Sequence, residues 1–310
     1  MAETYSHSRL SSFEDCPLKF QYRYILKIPS ETESIEAFVG KRVHDVLERL
    51  YVAVDKGHVP SLPQVIQRYC QLFDDAYDTE RISIVRTENP HEFYRDSGTQ
   101  CLSNYYRAHY PFDREETLGL EERVSFELGA EKSHRVRFRG FIDRIARARD
   151  GAIEIHDYKT SARVPKQATL DKDRQLALYQ IGLTQRYGEE QPMRLVWHYV
   201  RHGRTCTSTR SPEQLRDLSE RTLQLVARIR AATSFEARTS ALCRWCEFRT
   251  RCPASPERDE SLAPYDETAQ RGESASSARQ SSGGKDAAQT DAADDQLALP
   301  LRAIPPLGGG

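Results

Sequence analysis

The sequence holds no apolar run long enough to span a bilayer and no apolar signal-peptide core near Met1. It also lacks any G-x-x-x-x-G-K-[S/T]. The first two absences predict a chain that stays out of the membrane and the export route. The third leaves it without a recognisable ATP motor, so any helicase it works with is a separate protein. No internal repeat is present, which removes solenoids and propellers. An excess of one charge is missing too: 45 basic residues against 46 acidic give a net charge of −1. That balance hides two unlike parts. From Ser255 onward ten acidic residues face five basic ones, leaving 40 basic and 36 acidic groups in residues 1–254. The larger part is mildly basic, which keeps a polyanionic partner open. Seven cysteines, an odd number without an export signal, argue for a reducing, cytoplasmic compartment.

What remains is a soluble, globular composition, 38% hydrophobic and 29% charged. Apolar residues at helical spacing (Val43, Val46, Leu47, Leu50) predict a helix over Val39–Ala53, and the pattern continues through Leu62–Tyr77 and His91–Tyr110. Ser8 or Ser11 can cap a short helix before these. The period then shortens to two. Leu118–Leu128, Val136–Ala148 and Gly151–Tyr158 read as strands, followed by helix Leu170–Tyr187, strand Arg194–Val200 and helix Pro212–Ala232. This order predicts an α/β core preceded by a helical insertion. Residues 255–310, rich in Ser, Ala, Gly, Asp and Gln, read as a disordered tail. The predicted division is therefore 1–254 and 255–310.

The densest chemistry lies in Arg139-Gly-Phe-Ile-Asp143-Arg144 and His156-Asp157-Tyr158-Lys159-Thr160. Strand alternation points Asp157 and Lys159 the same way and Tyr158 back. A turn around Gly151 would bring Asp143 alongside them. Two carboxylates and an ammonium on one patch suit metal-assisted phosphodiester hydrolysis, with the carboxylates holding Mg²⁺ or Mn²⁺ and the lysine positioning or deprotonating water. Alone, D-x-K is common on solvated strands. Around it stand His44 on an upstream helix, Gln175 and Tyr179 four apart on one helical face, and four cysteines, Cys16, Cys243, Cys246 and Cys252. Thiolates in a C-x2-C pair with a third close behind suit an iron–sulfur cluster or zinc, and spacing by itself admits both.

Taken together, Ser6-x-Ser8-Arg9-Leu10, Phe13-x-x-Cys16-Pro17, Gly40…His44, Gly140…Asp143-Arg144, Asp157-Tyr158-Lys159, Gln175…Tyr179 and the cysteine triplet resemble the PD-(D/E)XK nucleases of the RecB/Cas4/AddB type. The resemblance covers nearly all of residues 5–254. It implies a restriction-endonuclease-like α/β core, a central mixed sheet flanked by helices. His44, Asp143, Asp157 and the carbonyl of Tyr158 would ligate the catalytic metal, with Lys159 as catalytic lysine and Gln175 and Tyr179 beside it. Glu122 matches an acidic position common in the family. Cys16, Cys243, Cys246 and Cys252 would hold a [4Fe–4S] cluster that staples the N-terminal helix to the end of the domain. The implied activity is a DNA exonuclease acting on single-stranded ends in repair or recombination, associated with the nucleoid. The alternative is a catalytically silent DNA-binding or clamp-tethered scaffold, against which the complete His–Asp–Asp–Lys set argues.

Plainer readings stand beside these. Arg135, Arg137 and Arg139 suit the solvated face of a hairpin as well as phosphate contact. Phe13, Phe20, Tyr22 and Tyr24 suit core packing better than base stacking. Cys70, Cys101 and Cys206 read as ordinary buried thiols, and Trp245 as a shield between cysteines. In the tail, Gln296-Leu-Ala-Leu-Pro-Leu301 resembles the peptide by which bacterial proteins dock on the sliding clamp.

Overall fold

A computed structural model describes residues 3–30, 32–129 and 135–262. Of the predicted tail only residues 255–262 are described, and its clamp-like peptide lies outside the described residues. The elements in chain order are β1 (Thr4–Tyr5), α1 (His7–Asp15), α2 (Pro17–Phe20), β2 (Glu33–Ser34), α3 (Ile35–Asp55), α4 (Leu62–Ala76), β3 (Ile82–Ser83) and α5 (His91–His109). They continue with β4 (Glu115–Leu128), β5 (Val136–Ala148), β6 (Ile153–Lys159), α6 (Gln167–Leu170), α7 (Gln175–Tyr187), β7 (Met193–Tyr199), β8 (Arg204–Ser208) and α8 (Pro212–Ala231).

The centre is a mixed sheet built on β5. Along one edge β5 pairs antiparallel with β4 over its whole length. Its other edge is shared, with β1 parallel at Arg137–Phe138 and β6 antiparallel at Arg144–Arg147. Parallel β7 and antiparallel β8 extend the sheet beyond β6. The expected α/β architecture, a mixed sheet with helices on both faces and a helical insertion ahead of the central strands, is therefore present. α1, α7 and α8 pack on one face around Phe138, Ile155, Leu178 and Trp197. α3, α4 and α5 form the insertion and a second core around Phe38, Leu47, Tyr69 and Tyr105, which meets the sheet at Tyr158.

The local reasons are ordinary ones. Ser34 opens α3 by accepting a hydrogen bond from Ala37 N at 3.2 Å, and Val39, Val43, Val46, Leu47 and Leu50 line its buried stripe. The β5–β6 turn forms where expected, with Gly151 at φ 86°, a left-handed conformation that favours glycine. Three details differ from expectation. The cap of α1 is Ser6, whose Oγ accepts from Arg9 N at 3.1 Å, while Ser8 and Ser11 fall inside the helix. The helix expected over Leu170–Tyr187 is broken into α6 and α7, because Asp173 Oδ1 accepts from Leu176 N at 3.2 Å and restarts the chain. Strand β8 lacks the apolar alternation that would have announced it.

Beneath the sheet's α3–α5 face lies a buried polar network. Arg144 is fully buried, stacks 4.2 Å over the Tyr51 ring and donates to Glu115 Oε2 at 3.1 Å. It also reaches His156 Nε2 at 3.2 Å. His156 Nδ1 lies 2.8 Å from His198 Nε2, and His198 Nδ1 lies 3.2 Å from Thr205 Oγ1. With both imidazoles neutral, each ring N–H donates onward to the next acceptor, which satisfies the two rings, while Arg144 Nε and Nη1 are buried without a hydrogen bond. No helix is long and apolar enough to cross a membrane among the described residues.

Candidate active site

The site forms where β5 and β6 part. Their last pair is Arg144 with His156; one step further Asp143 and Asp157 face each other across the opening. Asp143 fills part of the gap by accepting from Tyr158 N at 2.7 Å, which replaces the missing ladder bond. Alternation along β6 sends Tyr158 into the helical core and sends Asp157 and Lys159 the other way, as the sequence implied. Lys159 Nζ lies 2.9 Å from Asp157 Oδ1 and 3.2 Å from Gln175 Oε1. Gln175 in turn donates to the Tyr179 hydroxyl at 3.5 Å, one turn along α7. From the opposite side α3 presents His44, whose Nε2 donates to the Tyr158 carbonyl at 2.7 Å and whose Nδ1 is 3.5 Å from Asp143 Oδ2. His44, Asp143, Asp157, Tyr158, Lys159, Gln175 and Tyr179 thus converge from one helix, two strands and a second helix.

One acidic group differs from expectation. Glu122 lies on the α7 face of β4 and pairs with Arg186. Glu121 takes the place expected of it. The register of β4 on β5 runs Leu120 with Arg144 and Glu122 with Ile142, so Glu121 sits opposite Asp143. Its backbone adopts φ 43°, a strained conformation for a glutamate. His44, Glu121 and Asp143 bring their ligand atoms within 4.8 Å of one another. A strict odd–even reading of β4 against its buried residues Val124, Phe126 and Leu128 would have found Glu121.

The electrostatics are those of crowded anions. Burial and Asp143 push Glu121 up to about 7, and burial with Asp143 raises Asp157 to about 6 in spite of Lys159. Burial opposes the charged form of His44, but Asp143, Asp157 and Glu121 outweigh it and lift the imidazole to about 9. Burial works against Asp143 as well; the His44 charge and the Tyr158 N–H overcome it and hold the carboxyl below its usual value. Asp157 Oδ2 is buried without a hydrogen bond, since Lys159 Nζ, 2.8 Å away, is outside bonding geometry. The His44, Glu121 and Asp143 ligand atoms, with the Tyr158 carbonyl 2.7 Å from His44 Nε2, fit a hard divalent cation, and the unsatisfied Asp157 oxygen lies outside that 4.8 Å group.

Residues 4–253 match the family model of the PD-(D/E)XK nuclease superfamily. The chain belongs to this superfamily. A curated relative, one of the subunits of the ATP-dependent helicase/deoxyribonuclease of Streptococcus uberis, is 31% identical over 170 residues. That match takes in 51% of this chain and 14% of the much longer relative. Among solved structures, a candidate exonuclease from Eubacterium rectale aligns with a TM-score of 0.45 at 12% identity, covering 78% of this chain and 87% of its own. That likeness is too distant to add to the assignment.

Away from the nuclease centre, the four cysteines lie where the two ends of the domain meet. Leu18 N donates to Glu236 O at 3.3 Å, and Glu247 pairs with Lys19 at 3.1 Å and with Arg23. Arg238 N points at Cys16 Sγ from 3.4 Å, and Ser240 N at Cys243 Sγ from 3.3 Å. Tyr22, packed on Phe248, is raised by burial and by the neighbouring Cys252 and Cys16. All four are free thiols. Phe20 is buried, with Phe13 and Tyr24 against it, so most of this aromatic stretch is core. Trp245 donates to Glu36 Oε1 at 3.3 Å, tying this corner to α3. Cys101 and Cys206 are buried as expected, whereas Cys70 is only half-buried.

Motif reading also missed His7 and Arg174. Arg174 bonds Ser11 Oγ at 3.1 Å and Glu14 Oε2 at 2.6 Å, holding α1 against α7. Burial and the charges of Arg174 and Lys159 push the His7 imidazole down to about 4. His7 therefore stays neutral beside the lysine.

Proposed function

We propose that this chain is a divalent-metal-dependent DNA nuclease that acts on single-stranded ends in repair or recombination. The observation that carries the reading is the opening between β5 and β6, where Asp143, Asp157 and Lys159 meet His44 and the Tyr158 carbonyl. In this reading His44, Glu121, Asp143, Asp157 and the Tyr158 carbonyl hold the cation. A divalent cation there supplies Lewis-acid polarisation of the phosphate and acidifies water. The chain's own groups do the rest. Burial works against the Lys159 ammonium, yet Asp157 outweighs it and holds the group above the ordinary lysine value. Lys159 thus acts as a fixed positive donor that orients the attacking water and offsets charge developing on the phosphate. Gln175 fixes the lysine, and Tyr179 fixes Gln175.

The same proposal gives Cys16, Cys243, Cys246 and Cys252 a [4Fe–4S] cluster with a structural role. A tetrahedral zinc at about 2.3 Å from each sulfur would draw the sulfurs within about 4 Å of one another. The same four thiolates also suit that zinc, so metal and sulfide content decides between the two. Backbone N–H groups aimed at Cys16 and Cys243 suit cluster ligation as well. The curated relative's name, a helicase/deoxyribonuclease subunit, supports a helicase partner. Docking of residues 296–301 on a sliding clamp, and a cytoplasmic, nucleoid-associated location, complete the proposal.

The test is degradation of end-labelled single-stranded and duplex DNA with Mg²⁺ or Mn²⁺ by anaerobically purified protein. Cleavage that needs metal and disappears in Lys159→Ala and Asp143→Ala supports the reading, and the product ladder gives polarity. Metal-independent cleavage, or none by the intact protein, overturns it. Iron and acid-labile sulfide should accompany the protein and fall away in Cys252→Ser; zinc without sulfide would remove the cluster.

A further inference from the structure

Among the described residues, the outer part of β4 and β5 carries an uncovered face. In the outer part of β5, Val136, Phe138 and Ile142 point into the core beneath α7, together with Val124, Phe126 and Leu128 of β4. The residues between them point to the opposite side. There Arg123, Arg135 and Arg137 are exposed, and Arg139 and Phe141 are half-buried. Arg123, Arg135, Arg137 and Arg139 border a groove of about 650 Å³ that reaches Thr4 on β1. Four arginines line it against one glutamate, Glu127, which lies 3.3 Å from Arg135. Among the described residues Arg123 and Arg137 make no ion pair. Arg123 and Arg137, close together on one sheet face, repel one another, which suits an anionic occupant.

Its place in the fold says which occupant. The groove lies on the two strands that carry Glu121 and Asp143. At about 3.3 Å per residue, Arg123 stands some 7 Å beyond Glu121, Arg139 about 13 Å beyond Asp143 and Arg137 about 20 Å. At the about 3.4 Å per nucleotide of a stacked, duplex-like strand those distances correspond to roughly two to six nucleotides, and an extended strand covers them with fewer. Phe141 lies between the arginines and the metal group, opposite Arg123 in the ladder. Positive charge following a backbone, with an aromatic ring beside it, is how single strands are held without sequence readout.

We propose that the open face of β4–β5 is the track for a single DNA strand, with Arg123, Arg137 and Arg139 on phosphates two to six nucleotides from the scissile bond and Phe141 under a base. The proposal rests on the nuclease reading and adds to it a side of approach and a minimum substrate length.

The experiment measures binding of four- and sixteen-nucleotide oligothymidines by fluorescence anisotropy across a salt series, in a Lys159→Ala background that leaves DNA uncut. Arg123→Ala/Arg137→Ala is compared with its parent, and Arg137→Glu serves as an independent variant. The sixteen-mer should bind the parent more tightly than the four-mer, and the double variant should bind the two alike. Its log–log salt slope on the sixteen-mer should fall by about 1.4, two contacts at about 0.7 each. Both positions are exposed, so melting temperatures should match the parent's. Unchanged affinity and slope in both variants, with cleavage by the Lys159 protein intact, would overturn the track and leave the nuclease standing. A loss confined to duplex DNA would also overturn it. A wild type that neither binds nor cleaves DNA would remove both readings.

Discussion

Glu121 and Glu122 are adjacent and chemically identical, and the fold gives them unrelated surroundings. Glu121 faces His44 and Asp143; Glu122 faces Arg186. Glu121→Gln should therefore raise the metal concentration needed for half-maximal cleavage by at least about tenfold, the loss typical even of groups that only support a ligand. Glu122→Gln should leave that requirement unchanged; a metal titration of both variants decides. The neighbourhood of Lys159 gives a second expectation. Gln175→Ala removes its neutral partner at 3.2 Å but leaves Asp157. The lysine stays charged and loses orientation, so kcat should fall with little change in KM. An equal rise in KM would assign Gln175 to substrate binding instead.

Among the elements, the contact between β5 and α7 tolerates little change. A Cβ on Gly140 would come within 2.2 Å of Tyr179 Cε1. Gly140→Ala must displace that buried ring, at a cost of about 1–3 kcal/mol, and should lower both the urea midpoint and kcat because Tyr179 carries Gln175. On the other face, Arg144 ties β5 to α3 through Tyr51, to β4 through Glu115 and to β6 through His156. Arg144→Met should cost about 3 kcal/mol, since removing one partner strands the others in the core. Equilibrium urea unfolding checks both. Much at this scale was legible in the sequence. Alternation foretold β4, β5 and β6, and the stripe on α3 foretold its buried face. The break at Asp173 and strand β8 were not legible, because one is a local hydrogen bond and the other lies at the sheet's edge with only Cys206 buried.

For the whole molecule, the helical insertion and the sheet are joined through buried imidazoles. Burial pushes His109 down to about 4 from the ordinary 6.5, against a raising effect from Glu115, and holds His198 well below its usual value. The unfolded chain then binds protons that the folded one refuses between pH 6.5 and about 4. Stability should accordingly fall as pH drops through that window, before most carboxylates titrate. Urea midpoints at pH 7, 6 and 5 should decline, and His109→Gln should flatten the decline. Glu121 and Asp157, raised to about 7 and about 6, work in the opposite direction, so a decline that His109→Gln leaves unchanged would mean this ring does not set it.

The sequence by itself determined the class of fold and, Glu121 apart, which side chains meet at the opening between β5 and β6. Strand alternation and helical spacing are local properties, and they fix which way Asp157, Lys159, Gln175 and Tyr179 point relative to one another. Tertiary structure decided what depends on residues far apart in the chain. It set Glu121 rather than Glu122 opposite Asp143, brought His44 to the Tyr158 carbonyl across 114 positions, and among the described residues left the arginine face of β4–β5 uncovered. The physical reason is that a side chain's direction follows from its own strand or helix, whereas its neighbours follow from register and packing between elements.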